Sequence, residues 1–193
     1  MSSGCTLDPC RTSRMALFLW TGPKHGGKTT GAAKLARTTK QYGFRVAGLL
    51  APSVYRDGHL VGFDALDLRS EARSPLAVRR ENPGDVGPFH FVEEGLKLGN
   101  HALDVAATEG ADLVIVDEFG PLELASGGWR PAVDSLVDAG RMPLVIVVRQ
   151  ELAGAVRKAY ADVPSRVLDA TAPESVHEVL CLLRDNRAER GTG

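Results

Sequence analysis

Three segments joined without a break constrain this chain most. An apolar run, Met15-Ala-Leu-Phe-Leu-Trp20, leads into Thr21-Gly-Pro-Lys-His-Gly-Gly-Lys-Thr-Thr30, and Gly31 to Gly43 follows with Ala32, Leu35 and Ala36 on one helical face. The middle stretch carries Gly22, Gly27, Lys28 and Thr29 at the spacing of a phosphate-binding loop. Glycines let successive backbone N–H groups turn inward around a polyphosphate, and a helix that opens near Lys28 aims its positive dipole end at the same anion. Lys28 is then placed to reach the β and γ phosphates, and the Thr29 hydroxyl to sit on a magnesium ion. A glycine-rich turn between strand and helix is the plainer reading. The phosphate loop, however, requires a strand before it and a helix after it, and this sequence predicts both, with Gly43 as the helix's C-terminal cap. Gly22, Pro23, Lys24, His25, Gly26, Gly27, Lys28, Thr29 and Thr30 are therefore the expected nucleotide-binding residues.

With 193 residues and 44% hydrophobic content, the chain suits one domain with a full core. Its 23 basic and 24 acidic residues leave a formal net charge of −1, so bulk charge indicates neither a nucleic-acid nor an acidic-membrane partner. No apolar stretch approaches the roughly 20 residues of a membrane span. Cys5, Cys10 and Cys181 are odd in number and lack paired metal spacing, which fits free thiols in a reducing cytoplasm. A cytoplasmic monomer is expected.

Residues 1–14 show no periodicity and read as a disordered extension, with the domain over 15–186 and a frayed tail over 187–193. Phe44 to Ala51 reads as a buried strand ended by Pro52. Ser53 to Gly58 and His59 to Leu68 read as an antiparallel hairpin about Arg56-Asp57-Gly58, inserted in an otherwise alternating pattern. Residues 69–91 are polar and irregular, which predicts a surface loop near the nucleotide. Val92 to Glu109 predicts a helix with Leu96, Leu103 and Ala106 on one side. Asp112-Leu-Val-Ile-Val116 is a continuous apolar run, the mark of a central parallel strand. Further on come a helix carrying Trp129, Val133 and Leu136, with Trp129 in the core; a strand over 143–148; a short helix over 150–160; a strand over 166–169; and a capping box, Thr171 to Glu174, before a last helix. The alternation predicts an α/β fold of three layers with a mainly parallel central sheet and a nucleotide at the carboxyl ends of the strands.

The second chemical segment closes the 112–116 strand. Val114-Ile-Val-Asp117-Glu118 has the form of a Walker B segment: Asp117 is placed to hold magnesium through water beside Thr29, and Glu118 to polarise an attacking water as general base. Alone the pattern is weak, because many strands end in acidic residues, but the phosphate loop in the same chain gives it weight. Asp followed directly by Glu resembles the P-loop class with an additional central strand and a catalytic glutamate. At the end of the 143–148 strand, Arg149 or Gln150 is placed to sense or neutralise the γ phosphate; a solvated helix start explains both equally well.

Thr21-Gly22-Pro23, Gly27-Lys28-Thr29-Thr30, Gly62-Phe63-Asp64 and above all Asp117-Glu118-Phe119-Gly120-Pro121-Leu122-Glu123-Leu124 resemble the THEP-type, or cancer-related, nucleoside-triphosphatases. The similarity runs from about residue 15 to 170. It implies a small magnesium-dependent phosphohydrolase of nucleoside triphosphates, loose about the base and therefore acting on both ATP and GTP, with Lys28, Thr29, Asp117 and Glu118 inheriting the phosphate, magnesium, magnesium and water-activating roles. The chain departs from the family's pattern at Lys24-His25, where a Pro-Gly pair is usual, and at Ala51, Ser53, Tyr55 and His59-Leu60. Outside the motifs, Glu94 and Glu123 read as exposed residues in salt links, His90 as part of an alternating strand or loop, and Asp64 and Asp67 as hairpin residues. A small-molecule kinase and a nucleotide-binding adapter in cofactor assembly are the competing functions. A signalling GTPase is disfavoured for want of an Asn-Lys-x-Asp segment.

Overall fold

The computed structural model describes residues 15–24, 26–81 and 88–190. The expectation for residues 1–14 lies outside these, as does that for His25. Along the chain run β1 (Leu17–Gly22), α1 (Lys28–Gln41), β2 (Val46–Leu50), β3 (Ser53–Arg56), β4 (His59–Asp67), β5 (Arg73–Arg79), β6 (Phe89–Phe91) and α2 (Glu93–Ala102). They are followed by β7 (Leu113–Phe119), α3 (Pro121–Leu124), α4 (Arg130–Ala139), β8 (Leu144–Arg149), a 3₁₀ turn (Gln150–Leu152), α5 (Ala153–Ala159), β9 (Ser165–Asp169) and α6 (Pro173–Arg190).

The strands form one sheet in the order β6-β5-β4-β2-β7-β8-β1-β9, with β3 hydrogen-bonded to β4. From β2 to β9 every pairing is parallel, and β8 lies between β1 and β7. The apolar runs explain these strands: β1 and β2 are buried at every position, as are the first five residues of β7 and β8. A strand covered on both faces has no need to alternate. Leu17 and Leu19 point with Val114, Val116 and Ile146 to one cluster, closed by Leu103, Trp129, Val133, Leu136 and Val156. Phe18 and Trp20 point with Val145 and Val147 to the other, closed by Leu35, Ala36, Val179, Leu180 and Leu183. The result is three layers, α1 and α6 on one face and α2, α4 and α5 on the other. Full burial of each such side chain stabilises by about 1.5–3 kcal/mol, so the sheet centre dominates the hydrophobic contribution. Trp129 is core, stacked over Gly99 of α2.

Four expectations are corrected. The segment 69–91 is not all loop: β5 pairs antiparallel with β4, and β6 with β5, so β3 to β6 form an antiparallel flank that continues the sheet. Pro75 hid β5 from the sequence; it sits where the β4–β5 register slips, at a bulge that tolerates its missing N–H. The helix from residue 92 stops at Ala102, because the Asp104 carboxylate accepts the N–H groups of Ala106 and Ala107 and turns the chain, leaving Ala106 exposed. Thr171 forms no capping box; its hydroxyl and N–H both donate to the Asp169 carboxylate. The tail is helical through Arg190, and Arg187 is docked, donating to the Gly43 carbonyl at 2.8 Å with its guanidinium 3.9 Å from the centre of the Phe44 ring.

Candidate nucleotide site

The carboxyl ends of β1, β2, β7 and β8 meet at one edge of the sheet, and the loop after β1 lies there. α1 opens at Lys28 from Gly27, whose φ is 74°, and Gly31 N–H closes the first turn on the Gly27 carbonyl at 2.8 Å. The first-turn N–H groups of the helix face this edge with no acidic side chain among them, as an anion site requires. The turn is held tight against the sheet: a side chain at position 31 would strike the Ala170 carbonyl oxygen at 2.5 Å and the Trp20 indole nitrogen at 3.1 Å, so only glycine fits. Ala170, the first residue beyond β9, was not singled out by the sequence. The Thr171 hydroxyl and N–H hold the Asp169 carboxyl below the ordinary range. Lys28 Nζ donates to the Pro23 carbonyl at 2.9 Å, folded back over the loop it would share with a phosphate.

Thr29 and Asp117 come together. The Thr29 hydroxyl lies close enough to the completely buried Asp117 carboxyl to favour its charged form. Asp117 Oδ2 also accepts the Ala51 N–H at 3.0 Å, and Oδ1 the Glu118 N–H at 3.0 Å. The Ala51 contribution, from the end of β2, was invisible in sequence because it is a backbone group. Burial pushes the Asp117 carboxyl up to about 6; the Ala51 N–H pulls against this, the Glu118 charge adds to it, and the Thr29 hydroxyl and the Glu118 N–H lower it. A carboxylate desolvated this far and paired with a hydroxyl suits a hard cation. Among the described residues no group of three His, Cys, Asp or Glu offers a closed metal site. Two oxygen ligands with the remaining positions left to water and phosphate are the donor set magnesium takes.

Glu118 is the one residue of β7 whose side chain is exposed. The β7–β8 register slips between Val116 and Phe119, and Glu118 sits at φ 62°, so the bulge turns its carboxylate out of the sheet beside Asp117. Arg149 ends β8 directly opposite Gly22 in the β1–β8 register and is exposed. Gln150 follows in the 3₁₀ turn, also exposed. The sheet thus brings Gly22, Lys28, Thr29, Asp117, Glu118 and Arg149 to one edge.

Residues read as bystanders sort differently. Glu123 is not exposed and has no salt link among the described residues: it is buried and accepts the N–H groups of Gly120 and Trp129. Pro121 followed two residues on by Glu is the first-turn signature that would have flagged it. In α2 the ion pair belongs to Glu93, with Lys97 at 2.7 Å, and not to Glu94. Asp64 pairs with Arg73 at 2.6 Å, and Asp67 caps the turn at Arg69 and Ser70. His90 is exposed on β6.

The NTPase family profile matches residues 17–180. Nucleoside-triphosphatase THEP1 of Methanopyrus kandleri is 30% identical over 148 residues, 71% of this chain and 82% of that protein. Its counterpart from Archaeoglobus fulgidus is 37% identical over 126 residues, 65% of this chain and 73% of that protein. The solution structure of a human cancer-related nucleoside triphosphatase superposes with a TM-score of 0.65 at 23% identity, covering 90% of this chain and 98% of the other. At that identity the likeness speaks for the fold.

Proposed function

Because this chain belongs to the NTPase family, alongside the THEP1 nucleoside-triphosphatases, we propose that it hydrolyses ATP and GTP, with broad tolerance of the base, to the diphosphate and phosphate in a magnesium-dependent reaction. The observation that carries this is the meeting of Thr29 with buried Asp117 while Glu118, next in the chain, turns outward at the same edge. With β8 between β1 and β7, the strand order agrees with the additional-strand, catalytic-glutamate class.

Thr29 and Asp117 would hold the magnesium, which when bound supplies positive charge to the phosphate oxygens. The N–H groups of the loop and of the first turn of α1 bind the β and γ phosphates, and Lys28 leaves the Pro23 carbonyl to join them. Glu118 accepts a hydrogen bond from a water in line with the γ phosphorus. As the water oxygen bonds to phosphorus and the bond to the β-γ bridging oxygen breaks, the water's proton passes to the Glu118 carboxylate and the bridging oxygen leaves on the diphosphate. Arg149, opposite Gly22, is placed to meet the charge on the γ phosphoryl group.

Glu118→Gln tests this. It keeps size and polarity but cannot take the proton, so binding of magnesium and nucleotide by calorimetry should persist while phosphate release falls at least about tenfold, the cautious end of general-base contributions. Phosphate release at the wild-type rate would remove Glu118 as base. Negligible turnover in the wild-type protein would point to an adapter, and turnover dependent on an added acceptor to a kinase.

A further inference from the structure

We propose that Glu123 is a positioning residue for Glu118, acting through the loop that follows β7; the inference rests on the reading of Glu118 as base. Glu123 is only 4% exposed and forms no ion pair among the described residues. A carboxylate held out of water without a cation is costly, and an apolar side chain would fill the same space at less expense. What the carboxylate supplies is two acceptors on one rigid group. Oε2 takes the Gly120 N–H at 2.8 Å and Oε1 the Trp129 N–H at 3.3 Å.

Those two donors are the ends of the connection between β7 and α4. Gly120 directly follows Phe119, the last residue of β7, and Trp129 caps α4. Between them the chain winds round the carboxylate: Ser126 N–H returns to the Glu123 carbonyl at 3.0 Å and Gly127 N–H to that of Leu122 at 2.9 Å. Gly128, at φ 51°, passes so close that a Cβ would collide with Glu123 Oε1, which makes glycine obligatory there.

On the other side, Asp117 Oδ1 holds the Glu118 N–H, and Phe119 is buried with its ring edge-on to Tyr160, centroids 6.4 Å apart. Glu118 is thereby clamped between Asp117 before it and Phe119 and Gly120 after it. Its φ of 62° is a conformation a non-glycine backbone leaves when its surroundings slacken. A base must meet its proton at about 2.6–3.2 Å, so a small swing of this backbone takes Glu118 out of reach of the water without disturbing the phosphate loop.

The test is a double-mutant cycle on the full chain with magnesium-ATP. Glu123→Gln keeps the volume but offers one acceptor oxygen, and its NH2 confronts the other N–H, so one end of the loop is released. Glu123→Gln should lower kcat at least about tenfold while the Kd for a non-hydrolysable ATP analogue stays within about twofold. Added to Glu118→Gln, it should cost less than about a further twofold, because the group it positions is already disabled. If Glu123→Gln leaves kcat within about twofold, or if its loss multiplies in full with that of Glu118→Gln, Glu123 does not act through Glu118. Glu118→Gln alone hydrolysing at the wild-type rate is a separate outcome: it removes the base reading whatever Glu123 does. Should Glu123→Gln lack a cooperative thermal transition, Glu123→Asp, which keeps both acceptors on a shorter reach, enters the same cycle with the same criteria.

Discussion

A carboxyl group with no water around it keeps its proton to higher pH, and Asp117 does so up to about 6 against 3.8 for an ordinary aspartate. The folded state therefore binds more protons than the unfolded chain between those values, and the stability Asp117 contributes falls as pH rises through that window. A displacement of about two units corresponds to roughly 3 kcal/mol. Asparagine at 117 has no proton to lose, so the stability difference between wild type and Asp117→Asn should move against wild type by up to about 3 kcal/mol from pH 4 to pH 6.5. Parallel urea titrations at both pH values check this; a constant difference would mean that Asp117 titrates normally. On the proposed reading the same window has a functional side: below about pH 6 a proton on Asp117 would compete with the magnesium held there, so half-maximal turnover should need more magnesium as pH falls. The placement of Lys28 at the head of α1 and of Thr29 beside Asp117 was legible in the sequence, because phosphate and cation chemistry constrains residue types directly. The buried state of Glu123 was not, because it depends on which backbone N–H groups the loop leaves without partners.

The elements that the sequence predicted well are those whose apolar runs are covered on both faces: β1, β2, β7 and β8 sit where Leu17, Leu49, Val114 and Ile146 require a core. Elements at the margins were read less well, since β5 carries a proline and β6 only three residues, and their pairing is decided by β4 and not by their own pattern. The end of α6 is the case with a measurable consequence. Its polar last turns read as fraying, yet Arg187 reaches the Gly43 carbonyl, lies over Phe44 and comes within 3.6 Å of Asp112. The guanidinium is half exposed, so the ion pair counts for little, while the hydrogen bond and the ring contact together are worth about 1–2 kcal/mol. Ending the chain at Asn186 should then lower Tm by about 3–6 °C, with Arg187→Ala reproducing most of the loss. Scanning calorimetry distinguishes this from a frayed end, whose removal would leave Tm unchanged.

At the scale of the whole molecule, the site draws on β1, α1, β2, β7 and β8, so a ligand bound there ties the carboxyl edge of the parallel sheet together. Magnesium-ATP at about 100 times its Kd should add roughly 2.7 kcal/mol, raising Tm by about 5–10 °C for a chain of this size, and excess chelator should remove most of the rise. Equal shifts with ATP and GTP would accord with a site that grips phosphates rather than bases.

The neighbours of β1 also govern how the protein can be made. Among the described residues β1, which leads into the candidate phosphate loop, is paired only with β8 and β9, the last two strands described. During translation β1 emerges before either of these partners and stays unpaired until residues 144–149 have left the ribosome. A stalled or prematurely ended product can assemble β2 through β7 but cannot seat its first strand, and it exposes six residues that the finished protein buries completely. Retention on immobilised ATP should therefore require β8 and β9, and it separates chains that contain them from products that stop before residue 144.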